Sequence, residues 1–396
     1  MKALFKTGSV LGSSFIIAGT GIGAGMLGMP VVSAAAGFFP SVFVYIACYL
    51  TMIITGLLVA EIVLWGRKNA NFLSLTEHFL GKKAKIFTLL IYIFLFYLLL
   101  IAYMTGSGQI LSQITHLNSP RWFSLLFTLL FAPLILKGTK MIDRVNKLFL
   151  FGLFITYVGF VILGIQFVKL DALLVSNYSK IFIALPIIFT AFSYQATVPS
   201  ICTYLDQDPK KIRLAIFLGT TIALVIYLIW QGFILSVIPL TGEFGLETAL
   251  KTGKTAVFSL ANVVQSPFVF FLGQGFAFCA IATSFLGVSL GIVDFIADGL
   301  SFAKKGKNLV IIGLLTFVPP LIFSLIDPNL FILALNIAGG LGCVILLGVL
   351  PILMYLSGRY VKEYSTSGAY LFGYKTLIFV GIFLGLVFLS MLKIVF

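Results

Sequence analysis

Eleven charge-poor apolar runs fill the chain, at roughly 7–36, 41–65, 86–114, 122–136, 148–168, 181–205, 214–240, 266–299, 309–326, 329–357 and 376–395. A helix needs about 20 such residues to cross the hydrocarbon core of a bilayer. Most of the runs reach that length; the one at 122–136 is short, and the longest must tilt, bend or extend beyond the core. The expectation is an all-α membrane protein of eleven transmembrane helices. Composition agrees, because 60% of the 396 residues are hydrophobic and 10% charged, against about 45–50% and 25% in soluble domains. The segments between the runs are too short to hold a separate soluble domain, so residues 1–396 read as a single transmembrane domain.

The net charge of +14 would suggest nucleic acid in a soluble protein. Here the basic residues sit in short clusters between apolar runs, which is a topology signal instead. With the N-terminus in the cytoplasm, twenty lysines and arginines fall on the inner side and six on the outer. This bias predicts a cytoplasmic N-terminus and an outside C-terminus. Lys2 and Lys6 precede an apolar stretch ending in Ala34-Ala35-Ala36, which resembles a signal peptide, but the stretch is too long and is interrupted by glycines and a proline. It reads as the first span. The four cysteines lie singly in apolar runs and both histidines, His78 and His116, lie in connections. Disulfide, metal and intramembrane histidine chemistry are therefore not expected.

Two spans are interrupted. The first carries Gly19, Gly21, Gly23, Gly25 and Gly28 before Pro30. Glycine costs about 1 kcal/mol relative to alanine in a helix interior, and a broken helix is tolerated in a membrane only where it lines a cavity or is buried in protein. Gly21 and Gly25 also have the spacing of a close helix contact, but the clustering favours unwinding at Thr20 to Gly23. The sixth carries Ser193-Tyr194-Gln195-Ala196 before Thr197 and Pro199, with Thr197 as a helix N-cap and Pro199 in the first turn that follows. Alone this would be a proline kink. The matching positions, first and sixth, divide ten spans into two halves of five, about 7–168 and 181–357, with an extra helix at about 376–395. Five is odd, so the second half is inverted relative to the first. Substrate then sits at the midplane, with half-helix N-termini aimed at its anionic group and unwound carbonyls at its cation.

The stretch Ala18 to Leu27 followed by Pro30, the segment Val198-Pro199-Ser200-Ile201, and Ala282 to Val288 with Asp294 and Asp298 resemble the bacterial hydroxy and aromatic amino acid permease family. The resemblance covers essentially the whole chain. It implies the leucine-transporter-like fold of the amino acid, polyamine and organocation superfamily, a place in the bacterial inner membrane, and import of an aromatic amino acid, tyrosine first, by proton symport. Members commonly carry a Phe-His pair where this chain has Tyr194-Gln195, a difference that bears on the exact substrate.

The candidate substrate-binding residues are Ala18, Gly19, Thr20, Gly21, Gly23, Ala24 and Gly25 of the first break and Ser193, Tyr194 and Gln195 of the second. Tyr97, Tyr103, Phe189 and Phe192 are candidates for an aromatic wall. The substrate carboxylate is expected on the N–H groups of Gly21 to Gly25, and the ammonium on carbonyls near Ala18, Gly19 and Phe192. For ion coupling two mechanisms stay open. The family implies protons, with Glu61, Asp294 or Asp298 as carriers. Thr283 and Ser284, with the Ala280 carbonyl, form an oxygen set that suits sodium, although such hydroxyls often bond back to their own helix. Glu61 could instead pair with Arg67 or Lys68, and Asp294 with Lys304. There is no GxxxxGK[ST] motif to bind a nucleotide, and an enzyme would need clustered acid–base or metal-binding side chains that are absent from the spans. The expected partners are a small amino acid and the lipid bilayer, with no organic cofactor and no obligate protein partner.

Overall fold

Helices account for nearly all of the computed structural model, which describes residues 9–66, 72–264, 266–299, 302–365 and 373–396. In order they are α1 (Val10–Gly21), α2 (Gly25–Ser33), α3 (Phe38–Trp65), α4 (Phe72–Leu80), α5 (Lys82–Ile114), α6 (Pro120–Leu136), α7 (Thr139–Gly164), α8 (Leu185–Ala191), α9 (Val198–Tyr204), α10 (Pro209–Val237), α11 (Leu246–Lys251), α12 (Ala256–Val263), α13 (Pro267–Gly299), α14 (Gly306–Ile326), α15 (Phe331–Ile337), α16 (Leu350–Leu356) and α17 (Tyr374–Val395). A π-helical stretch, Ala338–Val349, joins α15 to α16. Among the described residues nine helical stretches are long and apolar enough to cross a membrane, and the bent pair α1–α2 makes a tenth. The expected count of eleven therefore rests on α6, whose 17 residues rise only about 26 Å.

The helix neighbours repeat with an offset of five spans. The first span meets the seventh (α1 on α10), and the sixth meets the second (α8 and α9 on α3). The fifth meets the eighth (α7 on α13), and the tenth meets the third (the π-helical stretch on α5). Contacts of α5 with α6 and α14 are matched by contacts of α13 with α14 and α6. The two interrupted spans meet each other where α2 packs on α8, and α5 packs on α13. Two halves of like construction thus enclose the breaks, with α17 outside the repeat, against α8 and the π-helical stretch.

Local chemistry sets the ends of these helices. Ser9 caps α1 by accepting the Gly12 N–H at 3.3 Å. Asp208 caps α10 by accepting the N–H groups of Lys210 and Lys211 at 3.0 and 3.3 Å, and these bonds, that of Lys211 foremost, hold its carboxyl below the ordinary carboxylate range. At the turn from α2 to α3, Gly37 has φ +87° and forms an antiparallel bridge with Ser176. A side chain there would strike the Val175 carbonyl. The connection at 241–264 folds into α11 and α12, both lying against α2, so it covers one end of the bundle. At the opposite, lysine-rich end, Glu77 of α4 bonds Lys85 of α5 at 2.5 Å. Arg67 and Lys68, proposed partners of Glu61, lie outside the described residues.

Glycines in the tenth span permit its tight packing. A side chain at Gly339 would strike the Pro186 carbonyl and Thr190 of α8, one at Gly342 would press on Leu95 of α5, and one at Gly340 or Gly348 would strike Met391 or Leu384 of α17. Gly340→Leu is expected to lower stability by about 1–3 kcal/mol through overpacking. Thermal unfolding of the detergent-solubilised protein measures this, with Gly385→Leu, which has open space around it, as the neutral comparison.

Candidate substrate site

The first break lies at Ile22 to Ala24, where α1 and α2 meet at a bend of 57°. It is shifted by two residues from the expected Thr20 to Gly23, because Thr20 and Gly21 still belong to α1. The Ala18 carbonyl is taken by the Ile22 N–H at 2.8 Å, which corrects its expected role as a free acceptor. Past that bond the ladder stops. The Ala24 N–H donates to Ser284 Oγ of α13 at 3.2 Å. Among the described residues the N–H groups of Gly23 and Gly25 find no acceptor, and the carbonyls of Gly19, Thr20, Gly21 and Ile22 no donor. The unwound segment therefore offers a donor set and an acceptor set within a few residues.

The second break follows α8. The Phe192 N–H reaches the Ile188 carbonyl at 3.2 Å and the Ser193 N–H the Thr190 carbonyl at 3.1 Å, after which a short 3-10 turn, Gln195–Thr197, leads into α9. The interruption at Ser193 to Ala196 is present, with Pro199 in the first turn of α9. Thr197 does not cap that helix: its hydroxyl donates backward to the Tyr194 carbonyl at 2.8 Å.

Tyr194 and Gln195 occupy the break, but their side chains turn to α3. The Tyr194 hydroxyl donates to the Met52 carbonyl at 3.0 Å and fills the space left by Gly56. The Gln195 amide donates to Thr55 Oγ1 at 2.9 Å and accepts the Tyr194 N–H at 3.0 Å. Both residues are buried, and their partners fix the path of the chain. Ser193 faces the other way, with its hydroxyl against the Cys343 thiol of the tenth span. Tyr103 of α5 lies beside both Cys343 and Ser284. Thus Ser193, Tyr103, Cys343, Ser284 and the Gly23–Ala24 backbone come together from five spans.

Of the aromatic candidates, Tyr103 and Phe192 border this place. Phe192 packs edge-on against Tyr227 at 4.9 Å between ring centroids, and against Tyr45 at 6.4 Å. Tyr97 and Phe189 are elsewhere. The Tyr97 hydroxyl donates to the Leu315 carbonyl of α14 at 2.6 Å, and Phe189 faces Phe383 of α17. Among the ion-coupling candidates, Thr283 donates back to the Ala280 carbonyl at 3.1 Å, while Ser284 touches the first break. Asp294 is half-exposed and pairs with Lys304 at 2.6 Å. The side chain of Asp298 lies outside the described residues. Glu61 is buried near the end of α3.

Sequence reasoning missed α10. Its Tyr227 hydroxyl donates to the Ala191 carbonyl at 2.7 Å, at the end of α8. Trp230 Nε1 donates to the Met26 carbonyl at 2.9 Å, and Gln231 bridges Ser33 Oγ at 2.6 Å and the Tyr45 hydroxyl at 2.9 Å. Positions i, i+3 and i+4 share one helix face, so Tyr227, Trp230 and Gln231 form a polar and aromatic stripe in a largely aliphatic span. That spacing was the available signal.

Two facing interrupted helices in a bundle of two like halves define a membrane transport protein of leucine-transporter-like fold. The structure is similar to that titled crystal structure of MhsT in complex with L-phenylalanine, with a TM-score of 0.61, 17% identity and 97% of each chain covered. Residues 6–392 match the tryptophan/tyrosine permease family. Relatives include tyrosine-specific transport system 1 of Haemophilus influenzae, 34% identical over 344 residues (83% of each chain), and the tryptophan-specific transport protein of Pseudomonas aeruginosa, 34% identical over 363 residues (89% of this chain, 87% of the relative). This chain belongs to the tryptophan/tyrosine permease family and is a multi-pass membrane permease, not an enzyme.

Removing the Tyr227 hydroxyl strands a buried carbonyl, which costs about 1–3 kcal/mol. Tyr227→Phe is expected to lose that much stability in chemical or thermal unfolding. Tyr49→Phe, which removes a partly buried bond to Thr221, is expected to lose clearly less.

Proposed function

We propose that this permease imports an aromatic L-amino acid, tyrosine first, by alternating access and proton symport, with its lysine-rich end in the cytoplasm. The observation that carries this reading is the first break. Free N–H groups at Gly23 and Gly25 suit a carboxylate, and free carbonyls from Gly19 to Ile22 suit an ammonium. Both sets belong to one zwitterion. Tyr103 and Phe192 supply ring surfaces beside them. The names of the relatives, specific for tyrosine in one case and tryptophan in the other, support the aromatic class.

A side chain at Gly23 would strike Ser284 Oγ. Gly23→Val is therefore expected to abolish uptake of labelled tyrosine while the protein remains monodisperse and helical. Failure of tyrosine, tryptophan and phenylalanine alike to be taken up by the wild type in proteoliposomes would sink the substrate assignment.

For coupling, protons are favoured on the resemblance to the aromatic amino acid permeases; Thr283 donates within its own helix and Ser284 accepts the Ala24 N–H, which leaves each hydroxyl a lone pair for a cation in the alternative reading. Of the two candidate carboxylates with described side chains, Asp294 is half-exposed and Glu61 is buried in its span. Glu61 is the better carrier. Glu61→Gln is expected to lose uptake driven by a pH gradient and to retain tyrosine counterflow, both read in proteoliposomes. Uptake driven by an imposed sodium gradient at equal pH would instead assign Ala280, Thr283 and Ser284 to a sodium ion.

A further inference from the structure

At the lysine-poor end of the bundle a cavity of about 820 Å³ opens between the end of α5, the segment around α12, the start of α13 and the turn at Pro328-Asn329. Among the described residues that line it there is no aspartate or glutamate, and there is one lysine, Lys254. Its Nζ lies 3.7 Å from the centre of the Phe258 ring, which lines the same cavity. The ammonium therefore stands at the cavity wall, and among the described residues no carboxylate pairs with it. Partial burial lowers its pKa, because the charge is partly withdrawn from water and nothing opposite in sign replaces the water. His116, Asn118 and Asn329 add side chains able to donate N–H to the same space. The character changes at the start of α13. Phe271 lines the cavity and is 61% exposed, and Phe268, three residues earlier on the same helix face, is 75% exposed. Both belong to a helix long and apolar enough to cross a membrane, so the rings they expose meet lipid. Through Phe271 the cavity is continuous with the lipid-facing surface of α13.

A cation without a partner, further N–H donors and no carboxylate select an anion. A way out along exposed phenylalanines selects an anion that carries hydrocarbon. We propose that this cavity holds the headgroup of an anionic phospholipid, with its phosphate on Lys254 and its acyl chains along Phe271 and Phe268. The phosphate oxygens accept charge-assisted bonds from the ammonium, and basic pockets between membrane-spanning helices recognise lipid headgroups in this way. A zwitterionic lipid would bring a second cation that the lining has no carboxylate to meet, and a free phosphate would make no use of the path along α13. Lys254 lies just before α12, which packs against α2 of the first interrupted span. The bound lipid thus fastens to the bilayer the segment that covers this end of the bundle.

Native mass spectrometry of the purified protein, titrated in detergent with phosphatidylglycerol or with phosphatidylcholine of the same chain length, tests this. The wild type is expected to bind one equivalent of phosphatidylglycerol about tenfold more tightly than it binds further lipids or phosphatidylcholine. Lys254→Gln should weaken that first equivalent about tenfold, as the loss of one charge-assisted bond requires, and Lys254→Arg should restore it. Lys169→Gln, which removes an exposed lysine outside the cavity, should leave it unchanged. Added phosphatidylglycerol should raise the unfolding temperature of the wild type and of Lys254→Arg, and not that of Lys254→Gln. Equal affinity for the two lipids, or a first equivalent that Lys254→Gln leaves unchanged, would overturn the site. Displacement of the lipid by millimolar inorganic phosphate, with phosphate alone giving the same thermal shift, would overturn the lipid in favour of a free anion. None of these readouts depends on uptake, so the transport reading stands or falls separately.

Discussion

A peptide group in hydrocarbon has no water to bond, and each one left unpaired costs several kcal/mol. The whole architecture follows from where this chain violates that rule and what surrounds the violation. At the first break Ser284 of α13 takes the Ala24 N–H, while Trp230 of α10 reaches the Met26 carbonyl inside α2. At the second, Tyr227 of α10 takes the Ala191 carbonyl, and Tyr194 and Gln195 tie the loop to α3. Neighbouring side chains satisfy part of what the helices give up. What they leave unsatisfied, around Gly19 to Gly25, is the set of donors and acceptors on which the proposed function draws.

That division of labour explains the placement of α10. Its aromatic and amide stripe meets both breaks at once, since Tyr227 bonds the end of α8 while Trp230 and Gln231 bond α2. The interrupted spans are therefore held by a helix that is itself continuous from Pro209 to Val237. Glycine and alanine do the rest by allowing close approach. A Cβ at Gly25 would lie 3.2 Å from that of Ala191, and one at Gly21 would lie 3.2 Å from the Ala191 carbonyl oxygen. The two readings of Gly21 and Gly25 in the sequence, helix contact and helix breakage, are both realised, the contact at these two residues and the break between them.

Much of the fold was legible because bilayer length and backbone bonding leave few choices. Apolar runs mark helices, and clustered glycine or a proline after polar residues marks an interruption. The breaks were found to within about two residues, but the direction of side chains was not. Tyr194 and Gln195 stand in the right place and point at α3. Tyr97, nearly two turns before Tyr103 on the same helix, faces α14. Direction depends on which neighbour each helix face meets, and no spacing within one span encodes that. Cys343 was passed over for a related reason. A lone cysteine in an apolar run is usually core, and only the packing of the tenth span against α5 and α8 brings its thiol to Ser193 and Tyr103.

The same geometry bears on how an ion could be coupled to the site. A hydroxyl oxygen carries two acceptor lone pairs, so one that accepts a backbone N–H still has a second to offer a cation. Ser284 accepts the Ala24 N–H, and this bond holds the first break against α13. A sodium ion between Ser284 and the span 1 carbonyls would share that oxygen with the Ala24 N–H, so its binding would act on the contact of the first break with α13. Proton transfer to the proposed carrier, Glu61, would act elsewhere. Glu61 sits on α3, the helix that receives Tyr194 and Gln195 from the second break. A change of charge on that helix would bias the α3–α9 contact and leave the bond between Ser284 and Ala24 in place, so the two proposed couplings act on different breaks.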